Sequence, residues 1–432
     1  MVFNPVQKQF NDFSKKARKI NRNFNLNIVY SIMDLTSGYP YWLIKSGLPA
    51  NYPKLESNLK TDVLIIGGGI SGALSAWHLC EAGIECTVVD GRTIGLGSTS
   101  ASTSLLQYEL DTSLSVLSRI IGNKKATRAY NLCYSAIDKL IAISKKLQFT
   151  EIEKRHSLYF AAQEKDTKLL ELEYKARSNA GLKVDLLNKR DIKKEYGFSA
   201  PAAILSSQGA TTNAYMFTHA LLQQGLKKGL SVFDRTKITS KKYSNTGITL
   251  HTEQGHIIRA KKVINATGYE VTEFLNKNII ELKSTYALIS ENMQSPTPPW
   301  KDGTMLWNTA DPYLYIRITS DNRIIVGGRD EDFYDPAARD KLIKRKTKLL
   351  AKDFSKLFPS INMIPEYSWI GTFGSTKDSL PYIGGYNKTP NTYYSLGFGG
   401  NGIVFSLIAA EIICDMIKGK KNENAELFSF DR

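Results

Sequence analysis

Residues 62–90 constrain the chain more than any other stretch. Asp62-Val-Leu-Ile-Ile-Gly67-Gly-Gly69-Ile70-Ser71-Gly72 opens with an apolar run and sets three glycines at G-x-G-x-x-G spacing. A helical pattern then leads to a second apolar run, Thr87-Val88-Val89, that ends in Asp90. Strand, tight turn, helix and strand in this order build a βαβ unit whose parts each suit a dinucleotide. Gly67 permits the turn out of the first strand, Gly69 leaves the backbone bare where a pyrophosphate approaches, and Gly72 lets the helix pack closely on the sheet. The free N–H groups at the helix start, around Ile70 and Ser71, face the phosphates with the helix dipole behind them. The Asp90 carboxylate is placed to accept hydrogen bonds from an adenosine ribose. A glycine-rich turn alone is compatible with a plain structural crossover. With strand, helix and acid all in position, the reading is a dinucleotide-binding unit.

At 432 residues the chain is longer than one typical core, and two domains are expected. A hydrophobic share of 42% can fill a sizeable core and argues against bulk disorder. The four cysteines (Cys80, Cys86, Cys133, Cys414) show no C-x-x-C or metal-ligand spacing and read as reduced, mostly buried thiols. The five histidines are scattered, so no metal site is expected. Net charge is +16, spread widely with clusters at Lys15-Lys16/Arg18-Lys19, Lys344-Arg345-Lys346 and Lys418/Lys420-Lys421. None is interleaved with aromatics as single-strand binders require, so a solvated basic surface is the plainer reading and nucleic acid is not the expected partner. Residues 1–30 lack an apolar leader pattern, and Gly402–Ile417, interrupted by Glu411 and Asp415, reads as too short and too charged for a membrane span. A cytoplasmic location is expected.

The pattern along the chain is that of an α/β (α+β) protein. Residues 1–60 form an extension whose end, with Tyr41-Trp42 and Tyr52-Pro53, carries aromatics that pack on the body. Gly91 to Thr103 is a polar loop. Helical spacing recurs over 111–147 as a pair of helices, over 165–180 up to Gly181, from 215 to about 228, and over 337–358. Strand patterns occur around 231–233, 238, 247–251, 257–268 and 304–329, the last as a hairpin turning at Thr319–Asn322. Nucleotide-type segments at the start, middle and end of the chain predict a discontinuous Rossmann-type domain from 61–112, 213–270 and 366–432. Residues 113–212 and 271–365 are assigned to a second, mixed-sheet substrate domain.

Strand, glycine turn and acid fit NAD and FAD equally. Three further features favour FAD. The first is the small and hydroxylic segment Gly95-Leu-Gly97-Ser98-Thr99-Ser100 of the loop that begins at Gly91, suited to a ribityl and pyrophosphate chain. The second is the strand Val263-Ile-Asn-Ala266-Thr267-Gly268. The third is Gly397-Phe-Gly399-Gly400-Asn401-Gly402-Ile403, a glycine run opening a helix. Bare backbone N–H groups at such a helix start stabilise negative charge developing at the N1–C2 edge of a reduced flavin.

Carried by these motifs, together with Tyr313-Leu-Tyr-Ile-Arg317, Asn322-Arg-Ile-Ile-Val-Gly-Gly-Arg329 and Asp378-Ser-Leu-Pro-Tyr-Ile-Gly384, the sequence resembles the D-amino-acid oxidase superfamily, which includes glycine, sarcosine and γ-glutamylputrescine oxidases. The resemblance spans roughly residues 60–415. It is also similar to the branch in which Tyr-Trp and Tyr-Pro precede the first strand and a Rieske domain can follow. The chain ends without Cys/His pairs after its last helix, so no iron–sulfur cluster is expected. The resemblance implies FAD, a second domain covering the flavin, and a strand near Ile238 lending backbone groups to the adenine. Some relatives link the flavin through His or Cys. Ala101 holds the place of that histidine here and the loop 371–379 has no cysteine, so non-covalent FAD is expected.

The resemblance implies an amine or amino-acid substrate, with O2 or another carrier as electron acceptor. In Tyr313–Ile318 the strand period of two puts Tyr313, Tyr315 and Arg317 on one face, where an arginine between tyrosines can grip a carboxylate. The strand also resembles the one carrying the carboxylate-binding arginine of amino-acid oxidases. An exposed strand arginine paired with a surface acid is the alternative for Arg317, and an ion pair with Asp330, Glu331 or Asp332 is expected for Arg329. His219 and His78 read as helix packing residues, while Gln107, Tyr108, Lys377 and Asp378 are weaker candidates for the site. Two other functions stay open: an RNA-modification-related or RNA-binding flavoprotein, and an FAD-binding protein without amine turnover.

Overall fold

A computed structural model describes residues 33–271, 279–294 and 298–432. The basic cluster at 15–19 and the segment read for a leader lie outside these residues. Two large sheets carry the architecture. The first has eight strands around a parallel centre: 231–233, 86–89, 59–66 and 257–265 run side by side, with 389–396 also parallel on 257–265. The strands 247–252 and 238–244 add to it antiparallel, as does 382–386 on 389–396. Buried on both faces, these central strands are continuous apolar runs, which is why Val63–Ile66 and Val88–Val89 are legible in the sequence. Helices Ile70–Glu81, Ala214–Leu226 and Gly402–Ile417 pack together with this sheet.

The second sheet has nine strands in the order 36–38, 365–375, 281–290, 324–331, 315–318, 305–308, 157–160, 202–206, 184–188. It is antiparallel except where 305–308 meets 157–160. One face packs on helix Pro336–Leu357 through Tyr286, Leu288, Ile316, Val326, Leu350 and Phe354. Alternate residues on the other face, among them Thr285, Ala287 and Tyr315, turn toward the first sheet and line a cavity between the two.

The helix pairs and the 319–322 turn form where the sequence places them. Two domain boundaries do not. The strand 365–375 pairs along its length with 281–290, so the chain returns to the first sheet after this strand and not at 366. Helix Asn123–Lys146 shares a core with Gly402–Ile417 through Ala129, Cys133, Ile137 and Leu140, so residues 114–146 belong with the parallel-sheet half. The polar loop 91–103 contains a short helix, Ser98–Ala101. Gly399–Ile417 is long and apolar enough to cross a membrane by length and composition, despite Glu411 and Asp415, and 67% of it is buried within this fold. Lys346, expected in a solvated basic cluster, is buried, with its Nζ bonded to the Arg329 carbonyl (2.6 Å) and paired with Glu331 (2.5 Å). All four cysteines are free thiols, and the described residues contain no His/Cys/Asp/Glu cluster arranged for a metal.

Candidate functional site

The ends of strands 59–66 and 257–265 lie in register, Ile66 beside Asn265, so the glycine turn and the Ala266-Thr267-Gly268 turn open side by side. Gly67 has φ +107°, and a side chain there would strike the Ala266 carbonyl. Ile70 N–H donates to Thr99 Oγ1 (3.1 Å), and a Cβ on Gly69 would lie 2.8 Å from that same oxygen. The turn is thus fastened to the start of helix Ser98–Ala101. Ser71 and Ser406 share a hydrogen bond (2.6 Å) that joins the first turns of two helices.

Asp90 accepts from the backbone N–H groups of Gly68 (2.6 Å) and Arg92 (2.7 Å). Burial nevertheless pushes its carboxyl up to about 6. These two bonds brace the turn and leave further lone pairs on the carboxylate, which lines the cavity. Arg92 is held by both oxygens of Glu270 (3.0 and 2.7 Å).

A cavity of about 310 Å³ runs between the two sheets. Its lining includes Gly67, Gly69, Ile70, Ser71, Asp90, Gly91, Gly97, Ser98, Thr99, Ile238, Ala266, Thr267, Gly268, Gly399, Gly400, Gly402 and Ile403, all expected from the sequence to meet the cofactor. Two expected cofactor residues act from outside it. A Cβ on Gly72 would collide with the Gly67 carbonyl, so its role is close helix–strand packing. Asn401 donates through Nδ2 to the carbonyls of Gln107 and Glu109 (both 2.9 Å), tying the glycine run to the 105–110 segment.

The chain's own residues fit a dinucleotide by one direct observation. The buried Thr267 Oγ1 has no hydrogen-bond partner within the protein, although Thr267 lines the cavity. A buried hydroxyl left in this state is costly unless a ligand completes it. The helix start at Gly399–Gly402 shows a complementary preference for negative charge. Gly400 N–H, expected to be bare, donates to Asp111 Oδ2 (3.1 Å), and Tyr313 Oη donates to Asp111 Oδ1 (3.2 Å). Burial raises the Asp111 carboxyl above its usual range.

Under the nine-stranded sheet, Tyr313 and Tyr315 line the cavity with ring centroids 5.9 Å apart. Tyr315 lies across Gly327, where any side chain would overlap its ring. Burial raises the Tyr315 phenol to about 12 and also pushes that of Tyr313 well above its usual value.

Arg317 requires a correction. It is buried and does not line the cavity: Nη1 donates to the carbonyls of Thr103 (3.0 Å), Ser104 (2.9 Å) and Thr212 (3.0 Å), and the guanidinium sits 5.5 Å from the Trp42 ring centre. Strand period fixes the face of the Cα–Cβ bond, and the long side chain then runs to a junction of backbone carbonyls, so the carboxylate clamp is not built. Arg317→Leu is expected to strip these carbonyls of their donor and destabilise the fold by about 1–3 kcal/mol. The expected signature is a lowered melting temperature with KM values for carboxylate-bearing and carboxylate-free substrates changing in parallel. A KM rise confined to carboxylate-bearing substrates would reinstate the clamp.

Arg329 is also paired elsewhere than expected, through Nε and Nη2 to Asp353 (2.7 and 2.8 Å). Of the weaker candidates Gln107 lines the cavity, whereas Tyr108 is core and Asp378 is bound by Arg432. His219 is buried against Tyr52, as a packing residue. Sequence reasoning missed Asp111, Thr285 and Asp330. Thr285 and Asp330 line the cavity, and no local motif surrounds any of the three.

A glycine turn, an acid at the next strand end and a second sheet closing over the cleft form a dinucleotide-binding site. The family model described as FAD dependent oxidoreductase (DAO) matches residues 62–416. The chain belongs to this family and is an FAD-dependent oxidoreductase. Among relatives, it is 22% identical to the gamma-glutamylputrescine oxidoreductase of Escherichia coli over 88% of each chain, and 25% identical to the glycine oxidase of Bacillus licheniformis over 86% of this chain and 97% of that one. Among solved structures, L-proline dehydrogenase from P. horikoshii superposes with a TM-score of 0.73 at 20% identity, covering 86% of this chain and 97% of the other. Glycine oxidase from Geobacillus kaustophilus gives 0.73 at 19%, covering 87% and 99%. These structural likenesses carry the fold.

Proposed function

We propose that the protein oxidises the C–N bond of an amine or amino acid to an imine, using non-covalently bound FAD. The observation that supports this reading is one cavity shared by the dinucleotide turn and the tyrosine-bearing sheet, with room for a substrate beside a bound cofactor. The names of its relatives, oxidases and dehydrogenases of amines and amino acids, support the same chemistry. Bound FAD would supply the two-electron acceptor for the hydride of the substrate C–H bond, the amine proton passing to solvent, and the imine product would hydrolyse in water to a carbonyl compound and an amine or ammonia.

The protein's share is binding and orientation. Thr267 Oγ1, the Asp90 carboxylate and the turn at Gly67–Gly69 hold the nucleotide part, with Arg92 fixed by Glu270 beside it. The N–H groups of Gly399 and Gly402 would offer positive potential to a bound flavin, that of Gly400 being occupied by Asp111. Tyr313 and Tyr315 face the substrate, and the sheet above excludes water.

No cysteine or histidine is among the residues lining the cavity, which supports non-covalent attachment. The protein is expected to purify yellow with one FAD, and acid precipitation is expected to leave all of the colour in the supernatant. Colour retained in the pellet would overturn the non-covalent reading. Anaerobic bleaching of the holoenzyme by amines or amino acids tests the reaction itself. Oxygen consumption against dye reduction then distinguishes O2 from another acceptor.

A further inference from the structure

The ionisable residues of the cavity divide by location. Arg92, Lys237 and Lys241 lie at the nucleotide end, on the loop after strand 86–89 and on the segment 236–241. Beneath the nine-stranded sheet, the ionisable lining residues among those described are Tyr269, packed against Gly374, with Tyr313, Tyr315 and Asp330. Every neighbouring base on this side is committed to another group: Arg317 to three carbonyls, Arg329 to Asp353, Lys283 to Asp332 (2.7 Å), and Lys346 to Glu331 and the Arg329 carbonyl.

Asp330 is left facing the cavity with one oxygen, Oδ1, buried and without a hydrogen-bond partner. Burial raises its carboxyl to about 6, against the lowering effect of a hydrogen bond from Thr285. An ionised carboxylate in this state is costly until a cation reaches it. The rings of Tyr313 and Tyr315 line the same cavity 5.9 Å apart, aromatic groups of the kind that attract ammonium ions, and Trp307 packs in a T-shaped contact with Tyr313 at 6.2 Å.

We propose that Tyr313, Tyr315 and Asp330 bind a cationic group of the substrate, making the preferred substrate a diamine-type compound with a second ammonium and no carboxylate beside the reacting carbon. This rests on the amine-oxidation reading above and names the substrate class for that site. The remote ammonium enters the tyrosine and carboxylate end, and the other amine, in its neutral form, is presented for oxidation. A zwitterionic amino acid meets Asp330 with its carboxylate and finds no free cation beneath this sheet.

The test uses the FAD-loaded protein without oxygen. Reduction rates are compared for 1,4-diaminobutane, n-butylamine, glycine and D-alanine. Separately, tetramethylammonium chloride and sodium acetate, neither of which is oxidised, are titrated while the flavin absorbance and the melting temperature are followed. The expected results are roughly 10-fold or more preference for the diamine over butylamine, little reduction by the amino acids, and saturable perturbation by tetramethylammonium but not acetate. Asp330→Asn is expected to abolish the diamine preference and the tetramethylammonium response with FAD occupancy retained, and Asp330→Glu to recover part of both. Faster reduction by glycine or D-alanine than by the diamine overturns the cation site while leaving amine oxidation standing. If no compound reduces the flavin but dithionite does, amine oxidation fails, and the tetramethylammonium titration alone decides the cation site. Absence of a saturable response to that ion overturns it.

Discussion

Arg177→Leu is expected to destabilise the protein by about 3–5 kcal/mol, among the largest effects of any single substitution outside the cavity. Arg177 is completely buried. Its Nε donates to Glu173 Oε1 (2.8 Å), its Nη1 reaches Glu109 Oε1 (3.4 Å), and the guanidinium lies 5.6 and 5.7 Å from the ring centres of Tyr108 and Tyr159. Glu173 in turn accepts the backbone N–H groups of Leu114 (2.9 Å) and Ser115 (2.8 Å), holding the start of helix Leu114–Ile121. Burial raises the Glu109 carboxyl. Glu173 is lowered, because Arg177 and the two backbone donors outweigh its burial. Leucine in place of the arginine leaves two buried carboxylates with no counter-charge. Both must then bind protons in the folded state at a pH where the unfolded chain has lost them. Stability of the variant therefore falls as pH rises above the ordinary glutamate range, and its deficit against wild type is larger at pH 8 than at pH 5. Denaturant melts at the two pH values measure this. A deficit within about 0.5 kcal/mol, or one that grows toward acid, would refute the account.

The second large effect is expected at Gly72. A methyl group there would overlap the Gly67 carbonyl oxygen, and that oxygen belongs to backbone fixed by pairing of the strand end with its neighbours. Nothing flexible is available to yield, so the helix Ile70–Glu81 must lift from the sheet. Gly72→Ala is expected to cost more than about 3 kcal/mol and to give poorly soluble, flavin-poor protein. Gly69→Val provides the contrast. Its Cβ meets only the Thr99 hydroxyl, at 2.8 Å, on the wall of the cavity. That variant is expected to fold while losing about 2–4 kcal/mol of FAD affinity, through crowding and lost hydrogen bonds. Flavin content after gel filtration, with the melting temperature of the apoprotein, separates the two. Gly72→Ala with full occupancy and an unchanged melting temperature would remove the packing argument.

The nucleotide half was legible because its requirements are local. Glycine spacing, an apolar parallel strand and a terminal acid all lie within residues 62–90, and backbone sterics demand those residue types at those offsets. Trp42 was legible as a packing residue for a similar reason, and it does pack, with Nε1 bonded to the Ser102 carbonyl (2.6 Å). The substrate half depends on contacts that sequence order conceals. Asp111 reaches Gly400 across most of the chain, and Asp330 meets Thr285 through the pairing of strands 281–290 and 324–331. Periodicity assigned Arg317 to the correct strand, but an arginine's reach decides where its charge ends. Its three carbonyl acceptors come from two other segments of the chain. Arg329 shows the same limit, since its partner Asp353 sits on a helix and not among the adjacent acids.

The interleaving of the two sheets has a consequence for how the protein is made. Strand 59–66 leaves the ribosome early, yet its sheet acquires strand 389–396 and the helix Gly402–Ile417 only near the end of translation. At a synthesis rate of about 5–20 residues per second, the nascent βαβ unit waits roughly 20–70 s for them. During that interval the apolar face of helix Ile70–Glu81 and one edge of strand 257–265 lack the partners they have in the finished fold. The site that Gly399–Gly402 completes is therefore assembled late, after residues through 417 have emerged.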